Sequence, residues 1–234
     1  MPRPRAVLLD VGGVFYLPSH DRIAGALARA EVQVDPGVLD AAHYVGASCL
    51  GLDLDAEGDW ADYWGHYLRG YVDACGVAPE AREDAHRHLD SEFADAELWR
   101  REAPGCRAGL AAVVGTGVRL GVVSNADGFV AARLHTDEIL QVGPGLGTHV
   151  ECVIDSGAVG VTKPDPRIFR LALDALGLEA DDVWYVGDTP GIDVVGARRA
   201  GLRPILMDPL GLHRDAGFGR VASLSELAAL VGAA

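Results

Sequence analysis

The chain has 234 residues, 49% of them hydrophobic, and a formal net charge of −14 at pH 7. That length suits one large domain, or a core domain with a smaller insertion, and is ample to bury a core. So acidic a surface argues against nucleic acid or an anionic membrane as partner, because both would repel it. By the same reasoning, an anionic ligand needs a local cation to hold it.

Arg3 and Arg5 stand ahead of an apolar run, with Ala28-Arg29-Ala30 beyond, in imitation of a signal peptide. Asp10 interrupts that run, and cleavage would remove the most strand-like segment of the chain. No apolar run is long enough to span a bilayer. Cys49, Cys75, Cys106 and Cys152 are scattered without a CxxC pair, which indicates neither a zinc site nor a disulfide framework. Reduced thiols and a cytoplasmic location are the expectation.

The first element is a strand over Ala6–Leu9. Its continuous apolar run, closed by Gly12-Gly13, reads as a strand buried on both faces of a parallel sheet. Asp10 then sits at the carboxyl end of that strand, where ligands bind in open α/β sheets. Residues 17–100 differ in character. Trp60, Tyr63, Trp64, Tyr67 and Tyr71 recur at helical spacing, and the stripe reads as the packing core of a helical subdomain, not a ligand box. Residues 53–59 open like a calcium-binding loop, but position twelve is Trp64 where a bidentate Glu is needed, so a solvated acidic turn is expected. His86 and His88, two apart, point to different sides of a helix and are not a metal pair.

From Pro104 onward helices and strands alternate. Helices are predicted over 106–114, 129–140, 165–176, 194–200 and from Ser225, and strands over 119–123, 152–154, 183–186 and 204–207. Residues 143–147, rich in glycine, read as an irregular loop. The alternation means an α/β, doubly wound parallel sheet.

Asp10, Ser124, Lys163 and Asp188 each follow a predicted strand closely or open the helix after one, so all gather on one edge of the sheet. Asp10 and Asp188 are hard oxygen ligands suited to magnesium. Ser124 and Asn125 offer a hydroxyl, an amide and backbone N–H groups to a phosphate, although a helix cap has the same signature. Lys163 is the only lysine in a chain that otherwise uses arginine. A compact ammonium that pairs with a carboxylate and a phosphoryl oxygen is not replaceable by a planar guanidinium.

The set Asp10-Val11-Gly12-Gly13-Val14, Ser124-Asn125, Lys163-Pro164 and Gly187-Asp188-Thr189-Pro190-Gly191-Ile192-Asp193 resembles the four motifs of the haloacid dehalogenase-like hydrolase superfamily. The resemblance implies a Rossmann-like core over 1–16 and 101–234 with a helical cap over 17–100. It implies Asp10 as the nucleophile that forms an aspartyl-enzyme intermediate. Magnesium would sit on Asp10, the Gly12 backbone carbonyl and Asp188, with Asp193 in support. Ser124 and Lys163 would hold the phosphoryl group of a small phosphorylated metabolite.

One position departs from the pattern. Phosphatases of the family usually carry a second Asp two residues after the nucleophile, and here that residue is Gly12. Loss of such an acid typically costs about 10²–10⁴ in rate. His20 and Asp127, each close after a motif, are the expected substitutes. Two rivals stay open: a metal-free 2-haloacid dehalogenase, and a ligand-binding or regulatory relative whose catalysis has decayed through Gly12. Gly187-Asp188 with Asp193 fits the metal-dependent branch better than the first.

Overall fold

The apolar run after Arg5 forms strand β1, Ala6–Leu9, with every residue buried. The structure, a computed structural model, describes residues 2–52 and 60–234, the side chains of 60–62 excepted. The acidic segment 53–59 and the Trp60 side chain therefore lie outside the described residues. In chain order the elements are β1, β2 (Tyr16–Pro18), α1 (His20–Arg29), α2 (Leu39–Ser48), α3 (Trp60–Ala74), α4 (Arg82–Phe93), β3 (Trp99–Glu102), α5 (Cys106–Gly115), β4 (Arg119–Ser124) and α6 (Val130–Thr136). They continue as β5 (Leu140–Val142), β6 (Thr148–Val150), β7 (Val153–Asp155), α7 (Ser156–Val159), α8 (Pro166–Leu176), β8 (Val183–Gly187), α9 (Val195–Arg199), β9 (Arg203–Met207), β10 (Gly219–Val221) and α10 (Leu224–Gly232).

Six strands form one sheet in the order β10-β9-β8-β1-β4-β7, and every neighbouring pair is parallel. The chain winds from β1 through β4 and β7 to one edge and through β8, β9 and β10 to the other. The order reverses at β1, so the crevice beyond β1, β4 and β8 is the switch point of the sheet. Strand alternation sends Val7 and Leu9 into a core with α5 and α10, and Ala6 and Leu8 into a second core with α8 and α9. Two covered faces explain why β1 shows no polar alternation.

A third hydrophobic cluster belongs to α1–α4, with Ile23, Leu27, Leu39, Tyr67, Tyr71, Leu89 and Phe93 at its centre. This helical insertion leaves and rejoins the sheet domain through β2 and β3, an antiparallel ribbon in which Tyr16 faces Glu102. Neither strand of this ribbon is among the elements predicted from the sequence.

One predicted boundary needs correction. The helix expected over 129–140 stops at Thr136, and Leu140–Val142 is a strand paired with Thr148–Val150 around the irregular 143–147 loop. Helix α6 closes with the Ile139 N–H bonded to Leu134 O and the Glu138 N–H to His135 O. That paired closure puts the intervening residue in the left-handed region, ordinarily a glycine. Here Glu138 takes φ 54°, so the sequence carries no glycine to announce the stop. The expected helix 194–200 begins earlier, through a π turn over Pro190–Val194 that runs into α9.

Candidate active site

Asp10 follows β1, Ser124 ends β4 and Asp188 follows β8, so all three meet at the switch point. A cavity of about 450 Å³ opens there between the sheet edge and α2–α4. Its lining includes Asp10, Gly12, Ser124, Asn125, Lys163, Asp188 and Asp193, the whole set expected from the sequence.

Close approach of backbone and carboxylate sets the glycines here. Gly13 has φ +67°, and a Cβ on it would lie 2.4 Å from Asp188 Cγ. A Cβ on Gly187 would lie 2.3 Å from Asp193 Cγ. Any side chain at either position would push a site carboxylate aside.

Lys163 is 1% exposed and uses all three ammonium donors. Its Nζ lies 2.8 Å from Asp10 Oδ2, 2.8 Å from Asp193 Oδ1 and 2.8 Å from the Tyr185 hydroxyl. The Tyr185 hydroxyl in turn donates to Asp193 Oδ1 at 2.9 Å. Burial by itself would pull the lysine pKa down, but Asp10 and Asp193 outweigh it and hold the ammonium above the usual lysine value. Burial pushes the Asp10 carboxyl up to about 7; Lys163 opposes that shift, and Asp193 and Asp188 add to it.

Asp10, Asp188 and Asp193 lie with their oxygens within 4.8 Å of one another, all buried. Asp10 Oδ1 and Asp188 Oδ2 find no hydrogen-bond donor among the described residues. Leaving a buried carboxylate oxygen unpaired is costly, and one ammonium does not balance three carboxylates. A hard divalent cation would satisfy both oxygens and the charge, so the donor set fits magnesium.

Not every expected residue does what its position suggested. The Asn125 side chain accepts from the Lys163 N–H at 2.8 Å and donates to Lys163 O at 3.0 Å. Both ends of its amide thus brace the lysine backbone, while the second amide hydrogen is left over in a residue that lines the cavity. Both Asp193 oxygens are also engaged, Oδ1 by Lys163 and Tyr185 and Oδ2 by the Thr189 N–H at 2.9 Å. Asp193 thus braces Lys163, and its Oδ2 accepts a single bond.

The two expected proton sources fare worse. His20 sits between Asp40 and the Arg101 guanidinium and is not part of the cavity lining. Asp127 does line the cavity, but Arg133 grips both its oxygens at 2.7 and 2.6 Å and lowers its pKa to about 2. An acid held ionised so firmly is a poor proton donor.

His43, which nothing in the sequence singled out, reaches the site from α2 and is 2% exposed. Its Nδ1 lies 2.9 Å from the Tyr67 hydroxyl, and its Nε2 lies 2.9 Å from Asp188 Oδ2, off the line of a hydrogen bond. A lone histidine on a helix carries no spacing signal. Tyr185 was equally hidden, inside an apolar strand.

The expected aromatic stripe divides. Tyr67 and Tyr71 are buried in the helical core as foreseen. Trp64 stacks on Tyr67 with centroids 4.7 Å apart, and both also face the cavity. The stripe is core and ligand wall at once.

Comparison with known proteins agrees with this geometry. The chain matches the haloacid dehalogenase-like hydrolase family over residues 4–201. It is 32% identical to a phosphoserine phosphatase of Thermus thermophilus over 89% of this chain and 83% of that protein. It is also 32% identical to a phosphoglycolate phosphatase of Rhodospirillum rubrum over 97% of this chain and 89% of that protein. In fold it resembles the crystal structure of a hydrolase of the same superfamily from Ehrlichia chaffeensis, with a TM-score of 0.59 at 16% identity, covering 99% of this chain and 97% of that one. With the six-stranded sheet, the helical insertion and the Asp10–Lys163–Asp188 cluster in hand, the chain belongs to the haloacid dehalogenase-like hydrolases.

Proposed function

We propose that this hydrolase is a magnesium-dependent phosphatase of a small phosphorylated metabolite, built as a core over 1–16 and 101–234 with a cap over 17–100. The observation that carries the reading is the buried cluster itself: Asp10 bonded to Lys163, Asp188 beside it, one unpaired oxygen on each of these two carboxylates, and both residues in the cavity lining. The phosphatase names of the two relatives support it.

In this reading the Asp10 carboxylate attacks phosphorus. The ester P–O bond breaks with its electron pair leaving on the alcohol oxygen, which takes up a proton. Water then cleaves the resulting aspartyl phosphate, returning Asp10 and releasing inorganic phosphate. Lys163 offsets the charge of the nucleophile and of the transferring group, and Asn125 and Asp193 hold the lysine in place. Ser124, 4% exposed at the end of β4, lies on the phosphate side of the cavity. A divalent cation on Asp10, Asp188 and the Gly12 carbonyl would neutralise the approaching dianion.

Phosphate release from a panel of metabolite esters, with and without magnesium and with Asp10→Asn as control, tests this. Magnesium-dependent release that vanishes in the variant is the expected result. Halide release from 2-haloacids without metal would move the protein to the dehalogenase branch. Binding without any turnover would make it a regulatory relative.

A further inference from the structure

Beside the charged cluster, the cavity has an apolar lining. Leu50, Trp64, Tyr67, Phe93, Trp99 and Ile192 form its walls. The aromatic rings among them touch in sequence: Trp64 on Phe93 at 5.5 Å, Tyr67 on Phe93 at 5.3 Å, and Phe93 on Trp99 at 6.1 Å between centroids.

The basic side chains that line the cavity are Lys163, His43 and Arg133. Lys163 spends its ammonium on Asp10, Asp193 and Tyr185. His43 turns one ring nitrogen to Tyr67 and the other toward Asp188. Arg133 is held by both oxygens of Asp127 and by Glu97 at 2.9 Å, so two carboxylates more than neutralise it. Residues 53–62, whose side chains lie outside the described set, contain no Lys, Arg or His. Among the described residues, every basic side chain that lines the cavity is already engaged, and an unpaired carboxylate placed against the rings would lose much of its hydration.

Resting on the phosphatase reading of the same site, we infer that the esterified alcohol is uncharged and largely apolar, an aryl- or alkyl-substituted alcohol and not a hydroxy acid. The phosphate occupies the charged end and the alcohol's hydrocarbon part packs against the rings of Trp64, Tyr67 and Phe93. A cavity of about 450 Å³ holds a ligand of that size.

The test separates binding from turnover. Calorimetry on the full chain with magnesium compares 3-phenylpropylphosphonate with 3-phosphonopropionate, non-hydrolysable counterparts of 2-phenylethyl phosphate and phosphoglycolate. The phenyl compound is expected to bind at least about tenfold more tightly, as burial of one ring implies. The kcat/KM values for the two esters are expected to follow the same order. Trp64→Ala should shrink the preference about tenfold. Glu97→Gln combined with Asp127→Asn should strengthen 3-phosphonopropionate binding by freeing Arg133, which keeps the inference testable if Trp64→Ala does not fold. Equal or tighter binding of 3-phosphonopropionate to the unaltered chain overturns the inference, as does binding of neither phosphonate. The phenyl preference in binding without phosphate release from any ester would remove the phosphatase reading and leave this one standing.

Discussion

On the floor of the cavity, Asp10, Asp188, Asp193 and Lys163 are buried and ionisable, with Asp10 and Asp193 both bonded to Lys163 from other segments of the chain. On its roof, Trp64, Tyr67 and Phe93 come from α3 and α4 and are fixed mainly by packing, with the Tyr67 hydroxyl also bonded to His43. The difference teaches how the two halves tolerate change. Buried charges are held only as a balanced set, because removal of one member strands the others. Apolar rings share their contacts with many neighbours, so the loss of one is spread out.

The sharpest way to break the floor is to remove its nucleophile while leaving its shape. Asp10→Asn is expected to lower phosphate release by about 10⁴-fold or more. The fold should survive, because Asp193 and Tyr185 still hold Lys163 Nζ. Circular dichroism together with a phosphate assay checks both statements.

Lys163→Met probes the balance directly. It strands Asp10 and Asp193 beside Asp188 in a buried cluster, which is expected to cost about 3–5 kcal/mol. On the roof, Phe93→Leu should cost about 1–2 kcal/mol. Urea unfolding of the two variants measures the contrast, and equal losses would contradict it. Magnesium should stabilise the lysine variant more than the unaltered chain, since the cation would then be the only positive charge in the cluster.

The floor was legible in the sequence because its residues obey a positional rule. Asp10, Ser124 and Asp188 stand at strand ends, and a parallel sheet brings strand ends together whatever the loops do. The glycines at 13 and 187 were visible too, although not their close approach to Asp188 and Asp193. What stayed hidden depends on contacts between helices and sheet. His43 and Trp64 lie on faces whose period says only that they are buried, and which of two neighbours they touch is decided by how the helical insertion docks. The place given to His20 failed for the same reason, and the bonds from Asn125 to Lys163 were hidden likewise. Nearness to a motif in the chain does not say where a side chain spends its hydrogen bonds.

His43 joins roof to floor, and a smaller effect is expected from it. His43→Phe keeps a ring beside Trp99, now 5.3 Å away, but removes the nitrogen facing Asp188. Groups that orient a ligand carboxylate typically govern about 10–100-fold in metal affinity. Magnesium binding measured by calorimetry should weaken by about tenfold, while the Tyr67 hydroxyl left without its partner should cost about 1–3 kcal/mol of stability with or without metal. An unaltered affinity would leave His43 with a packing role only.

The smallest effect should come from Asn125→Ala, and it decides whether positioning of the lysine matters apart from its charge. The change leaves the Lys163 N–H and carbonyl without their partners at 2.8 and 3.0 Å, while Asp10, Asp193 and Tyr185 still grip the ammonium. Two half-buried backbone groups that can recruit water should cost about 1–2 kcal/mol of stability. If the amide serves only to brace the backbone, kcat should fall about tenfold with KM nearly constant, because the ammonium drifts from a position needed in the transition state. A rise in KM without loss of kcat would mean that the amide turns to the substrate during turnover, and the role read from its two bonds would be wrong.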